Sequence, residues 1–355
     1  MRVPALTPRA GRGRAERSPD PRRTSSVSWC TRGGDASRRA VAMVPSKLIL
    51  DGRRLRYAVS DNEEAFGPEG PGSPPIWAVN LHGYFAGGGM YWRESMHLAE
   101  TFGWRVINPN LPGFAGSDPL PWEQVSIRGL TNEIIRLLDH LGVEQVVLLG
   151  HSMGGAVAVQ FADLHPERAL GIVYRDGAAT PEWKHRRSML VTLLSPVVPD
   201  IAGVADLMMA VMLDTPGFLI GRRLPSTLRG LWPDASRNLR TMGRSLPVGS
   251  MIMTIDLRDE VKHVVDKAVP ILPVWGCFDR IVNAATAHEF SELVHRDVVW
   301  VPGGHSWMLP RPQAQADILR YLGHGRTFMD DVMSRRGTLT GAEAVRQPAV
   351  VSITR

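Results

Sequence analysis

A chain of 355 residues, 44% apolar and 21% charged, is long enough to bury a large core and too polar to be embedded in a membrane. No apolar run nears the roughly 20 residues of a spanning helix, and two cysteines, Cys30 and Cys277, the latter in a segment that reads as core, make neither a disulfide framework nor a zinc site. The formal charge of +6 sits in one place: residues 1–42 hold ten Arg and no Lys against Glu16, Asp20 and Asp35, a net of +7 that leaves about −1 for residues 43–355 and excludes a basic nucleic-acid surface on the folded core.

Residues 1–42 read as a disordered basic extension, or as a mis-assigned start with initiation at Met43; binding of nucleic acid or anionic lipid by this arm is the alternative. Arg22-Arg23 is followed by no apolar stretch, so no export signal is read and a cytoplasmic protein is expected. Ordered patterning begins at Lys47, where LIL, Asp51-Gly52 and LRYAVS predict a hairpin with a tight D-G turn. Residues 63–75 form a Pro/Gly/acidic loop. From Ile76 apolar runs at 76–81, 104–108, 145–150, 170–174, 271–276 and 298–301 predict strands. Between them, helical spacing appears at 90–102, 126–141, 153–164, 284–295 and 312–322. The pattern predicts an α/β fold with a mostly parallel central sheet and helices on both faces. It breaks over 180–265, read as an inserted helical cap, so the core comprises 43–179 and 266–325, with 326–355 a C-terminal tail.

The sharpest motif is Gly150-His151-Ser152-Met153-Gly154-Gly155, between the strand-like EQVVLL and the helix-like AVAVQFADL. A strand-to-helix turn this tight needs small residues at Gly150 and Gly154 and presents the Ser152 hydroxyl at the carboxyl edge of the sheet, as a nucleophile would be. With LHGYFAGGGMYW, LPGFAGSD, PVWGCFDRIV and VPGGHSW in that order around LLGHSMGGAVAVQFA, the sequence resembles the α/β-hydrolase family from about Lys47 to Gly323, apart from the cap.

That resemblance implies a Ser–acid–His order along the chain. His305, in a Pro-Gly-Gly loop after a predicted strand, fits the base; His288 and His324 sit in helix-like stretches, and His151 shapes the elbow. Asp279, just past the strand ILPVWG, is the chosen acid, with Asp176, after the preceding strand, as its competitor. The resemblance places the oxyanion donors on backbone amides, Met153 and Tyr84, with Phe85 the near alternative to Tyr84. His82-Gly83 reads as loop architecture.

Gly87-Gly88-Gly89 lacks the flanking residues of a phosphate loop, and no residue cluster has metal-ligand spacing, so no cofactor and no metal are expected. The interval 188–213 is rich in Met and aliphatics (Met189, Leu190, Met208, Met212), followed by Phe218, Met251 and Met253: ordinary cap core, or in part a roof over the site. Arg222, Arg223, Arg229, Arg240 and Arg244 read as solvated surface. The expected partner is a small, uncharged, partly apolar carboxylic ester, cleaved through an acyl-Ser152 intermediate. Carbon–carbon, thioester or amide hydrolysis and perhydrolysis are the enzymatic alternatives. Dehalogenase and epoxide hydrolase readings are disfavoured because those relatives carry Asp at the elbow, and a non-catalytic ligand-binding protein is the alternative of another class.

Overall fold

The computed structural model describes residues 40–63, 73–182 and 224–342. The basic segment 1–39 and most of the Met-rich interval, including Met189, Leu190, Met208, Met212 and Phe218, lie outside the described residues. The chain opens with β1 (Met43–Leu50) and β2 (Arg53–Ser60), an antiparallel pair in which Met43 faces Ser60 and Leu50 faces Arg53. Asp51 and Gly52 link them with φ of 50° and 76°, the positive pair that a two-residue hairpin needs. The first strand thus begins at Met43, ahead of the expected Lys47. Pro45 masks the strand signal there, and the sheet tolerates it because β1 is an edge strand.

The remaining elements follow in alternation: β3 (Trp77–Leu81), α1 (Trp92–Phe102), β4 (Arg105–Pro109), α2 (Ile127–His140), β5 (Val146–His151), α3 (Met153–Leu164) and β6 (Ala169–Arg175). After the interval come α4 (Leu224–Arg240), α5 (Met242–Ile252), α6 (Arg258–Asp266), β7 (Ile271–Gly276), α7 (Ala284–Val294), β8 (Val299–Val301), α8 (Ala314–Tyr321) and α9 (Gly323–Ala342). Sheet order is β1-β2-β4-β3-β5-β6-β7-β8; β2 runs antiparallel to both neighbours and all other pairs are parallel. Every residue of β5, β6 and β7 is buried, as expected of central strands covered on both faces.

Helix α2 shows how the pattern becomes packing. Ser126 caps it by accepting the Gly129 amide at 2.9 Å, and Ile127, Leu130, Ile134 and Leu137 line the face turned to the sheet. With α3, α6 and α7 it covers one face, while α1, α8 and α9 cover the other.

Two stretches depart from expectation. Helix α6, expected in the cap, buries Val261 and Val264 in the same core as α3. The expected tail from 326 is instead most of α9, which buries Phe328 and Val332 against β6, while Arg335 donates to the carbonyls of Pro166 and Ala169. Glycines at 323, 325, 337 and 341 dilute its helical signal. Cys277 is exposed just past β7 rather than in the core. No helix among the described residues is long and apolar enough to cross a membrane.

Candidate active site

The chain leaves β3 toward β4 on one side and places β5 on the other, so the loops after β3 and β5 flank a switch point of the sheet, where open α/β sheets form their crevices. Ser152 stands there between β5 and α3, with φ 53° and ψ −118°. A non-glycine residue held at positive φ is strained, and neighbouring bonds fix it. Its amide donates to the Arg175 carbonyl at 3.0 Å, and its carbonyl accepts from Gly155 at 2.9 Å. A Cβ on Gly154 would lie 2.2 Å from the Leu81 carbonyl oxygen, and one on Gly150 2.6 Å from that of Gly154, so the elbow closes only with glycine at both positions. As the first residue of α3, Met153 has an amide with no intrahelical acceptor.

His305 lies in the loop after β8, 4% exposed, with Nδ1 2.8 Å from Asp279 Oδ2. The carboxylate accepts this bond, so Nδ1 carries the hydrogen. The other oxygen, Oδ1, accepts the Ile281 and Val282 amides at 2.7 and 3.0 Å. Asp176 lies behind this pair. It accepts from the Gly276 amide at 2.8 Å and from Trp307 Nε1 at 2.7 Å, and makes a hydrogen-bond contact with Asp279. Burial, then the Asp279 charge, pushes its carboxyl well above the usual carboxylate range. Polar atoms of Asp176, Asp279 and His305 lie within 4.8 Å of one another, with both carboxylates already accepting N–H groups.

Two further histidines are structural. His82 accepts the Leu111 amide on Nε2 at 2.9 Å, which leaves Nδ1–H for the Gly83 carbonyl at 2.8 Å; burial pushes its pKa down to about 4. His151 donates from Nε2 to the His305 carbonyl at 2.9 Å and accepts the Tyr91 hydroxyl on Nδ1 at 2.6 Å. Burial, reinforced by the neighbouring His305 and Arg175, holds it neutral. Beneath the elbow, Arg175 pairs with Glu94 at 2.6 Å and donates to Asn80 Oδ1 and the Leu149 carbonyl, all buried. Sequence reasoning missed Tyr91, Glu94 and Arg175. Their partners lie on other elements, and a lone buried polar residue leaves no periodic signal.

The loop after β3 turns at Gly83–Ala86, closed by the Ala86 amide on the Gly83 carbonyl at 3.2 Å, with Phe85 at φ 60°. It passes so close to the elbow that a Cβ on Gly83 would lie 3.2 Å from the Ser152 Cβ. The Tyr84 amide takes no part in the closing bond of this turn. From the interval between β6 and β7, Asn238 of α4 donates to the carbonyls of Phe85 and Ala86, both at 2.9 Å, and Ser245 of α5 accepts the Tyr84 hydroxyl at 3.3 Å. Met251 and Met253 are partly buried against the main core. Arg240 and Arg244 are exposed, Arg244 lying 3.6 Å from Asp118; Arg222, Arg223 and the Arg229 side chain lie outside the described residues.

A profile of the alpha/beta hydrolase fold family matches residues 78–200. A protein of Mycobacterium phage D29 named as a non-heme haloperoxidase is 29% identical over 261 residues, which cover 70% of this chain and 87% of that protein. The 2-hydroxy-6-oxo-6-phenylhexa-2,4-dienoate hydrolase of Comamonas testosteroni is 40% identical over 95 residues, 25% of this chain and 32% of that enzyme. Among solved structures, a bacterial membrane phospholipase A superposes with a TM-score of 0.62 at 22% identity, covering 82% of this chain and 87% of that one. An esterase from Thermogutta terrifontis does so at 0.56 and 20% identity, covering 81% and 98%. The chain has the α/β-hydrolase fold, and hydrolase is the class of activity that the family match and the named relatives support.

Proposed function

We propose that this protein is a serine hydrolase that cleaves an uncharged, partly apolar carboxylic ester through an acyl-Ser152 intermediate. The observation that carries this reading is the Asp279–His305 hydrogen bond at 2.8 Å beside a strained serine elbow. Nε2 of His305 takes the Ser152 proton as Oγ attacks the ester carbonyl. The resulting oxyanion is met by the Met153 and Tyr84 amides, each such donor being worth about 100- to 1000-fold in rate. Collapse expels the alcohol, which receives the proton held by His305. Water, deprotonated by the same imidazole, then attacks the acyl group, and the second collapse releases the acid and restores Ser152. Asp279 keeps the imidazole in the tautomer this cycle needs. Helices α4 and α5 act as a cap over the site, and the Met-rich composition of the interval before them supports an apolar acyl or ring group in the substrate.

A second reading uses the same acyl-enzyme. Likeness to the phage protein named as a haloperoxidase, along 87% of its length, supports attack by hydrogen peroxide in place of water, giving a peracid.

The test is hydrolysis of p-nitrophenyl esters of graded acyl length, with and without peroxide, by the wild type, Asp279→Asn and Asp176→Asn. Asp279→Asn is expected to lower kcat by about 10⁴-fold through the wrong histidine tautomer, and Asp176→Asn to keep it within about tenfold, because Asp176 acts behind Asp279. Wild-type rates in Asp279→Asn with loss in Asp176→Asn would reverse the assignment. Equal turnover of short polar and long apolar esters would remove the substrate class.

A further inference from the structure

Helix α4 is built the wrong way round for an ordinary amphipathic cap helix. It exposes Trp232 (66%) and Leu239 (51%) and buries the polar Asp234 (3%) and Asn238 (2%), one turn apart on the same face. That face meets the loop after β3. Asn238 Nδ2 donates to the Phe85 and Ala86 carbonyls at 2.9 Å each, and its Oδ1 accepts the Ala115 amide at 2.7 Å. One side chain thereby pins the loop after β3 to the loop after β4, across a strained residue: Phe85, at φ 60°, holds the turn position that glycine normally takes.

Asp234 accounts for the glycine run that matched no phosphate loop. A Cβ on Gly87 or Gly89 would lie 2.6 or 2.5 Å from Asp234 Oδ2, and at Gly89 the closest atoms are all of this carboxylate. Arg237 closes the outer side with a 3.1 Å ion pair to Oδ1. Gly87 and Gly89 form a seat for a carboxylate of the chain itself, and Gly88 is separately required because a Cβ there would lie 2.7 Å from the Asn108 carbonyl oxygen.

We infer that α4 is a latch on the oxyanion loop: Asn238 and Asp234 are positioning residues that fix residues 83–89 from the cap side, so that the amide of Tyr84 is aligned only when the cap helix is seated. This rests on the serine-hydrolase reading above. The latch acts through the transition state, where the oxyanion exists, and a misplacement of about 1 Å costs on the order of 100-fold.

The experiment is steady-state hydrolysis of one p-nitrophenyl ester, with fluorophosphonate labelling rates measured alongside, on the wild type, Asn238→Ala, Gly89→Ala, Asp234→Ala and the Gly89→Ala/Asp234→Ala double variant, each confirmed folded by its circular dichroism. Asn238→Ala is expected to lower kcat by about 10- to 100-fold with KM within about threefold, and to slow labelling in parallel. Gly89→Ala, whose new methyl would have its three nearest neighbours all on Asp234, is expected to lower kcat by about tenfold in the wild-type background and by less than about twofold once Asp234 is Ala, because those atoms are then gone. Folded Asn238→Ala or Gly89→Ala with wild-type kcat, or an equal loss from Gly89→Ala in both backgrounds, would overturn the latch. A wild type that neither turns over nor labels would overturn the hydrolase reading, and the latch with it, whereas labelled wild type with unaffected variants sinks the latch alone.

Discussion

Ser152 is held at φ 53° by hydrogen bonds from its own backbone to Arg175 and Gly155, and strain of this kind, about 1–3 kcal/mol per residue, persists only where surrounding structure enforces it. The surroundings include two buried neutral histidines, and they carry a pH dependence. His82 is held at a pKa of about 4, against about 6.5 in the unfolded chain. For such a depressed histidine the unfolded state binds the proton first, so stability is intact above about pH 6.5 and is lost as pH falls toward 4. By pH 4.5 the loss from His82 alone amounts to about 2–3 kcal/mol. Urea unfolding at pH 7.5 and 4.5 is expected to show that much less acid loss in His82→Asn than in the wild type; equal losses would mean that His82 is not held neutral by its site. Ser152, Asp279 and His305 were legible in the sequence because each follows an apolar strand within a local motif. Asn238 was not, because it reaches carbonyls about 150 residues away and nothing local marks it.

At the scale of elements, the central strands were readable as short, wholly apolar runs, and α2 as a repeated apolar face. The misses have a common cause: residues that are poor formers of an element in isolation but are tolerated in context. Pro45 sits on an edge strand, and the glycines of α9 sit in a helix that tertiary packing stabilises. Phe328 of α9 is 2% exposed, and a Cβ on Gly171 of β6 would lie 2.9 Å from its ring, so helix and strand approach as closely as glycine permits. Phe328→Ala is expected to cost about 3–5 kcal/mol in chemical denaturation while leaving turnover per folded molecule unchanged, since α9 packs on β6, β7 and α8 and supplies none of the residues proposed for catalysis. A cost below about 1 kcal/mol would return these residues to the status of a tail.

On the scale of the molecule, one sheet does two jobs. Its buried central strands fix the positions of three loops, after β5, β7 and β8, which deliver Ser152, Asp279 and His305 from segments far apart in the chain. Polar networks lie beneath and above that edge: Arg175 and Glu94 below the elbow, Tyr91 and His151 beside it, Asn238 and Asp234 over the loop after β3. The order of elements and the serine elbow were foreseeable from sequence, whereas these networks emerge only when the sheet brings distant segments together. The account stands on Ser152 being an activated nucleophile, and the most direct measurement is fluorophosphonate labelling of the wild type and Ser152→Ala, read by intact mass and peptide mapping. It predicts one stoichiometric adduct on Ser152 of the wild type and none on the variant; a folded wild type that takes no adduct, or takes it at another residue, would contradict it.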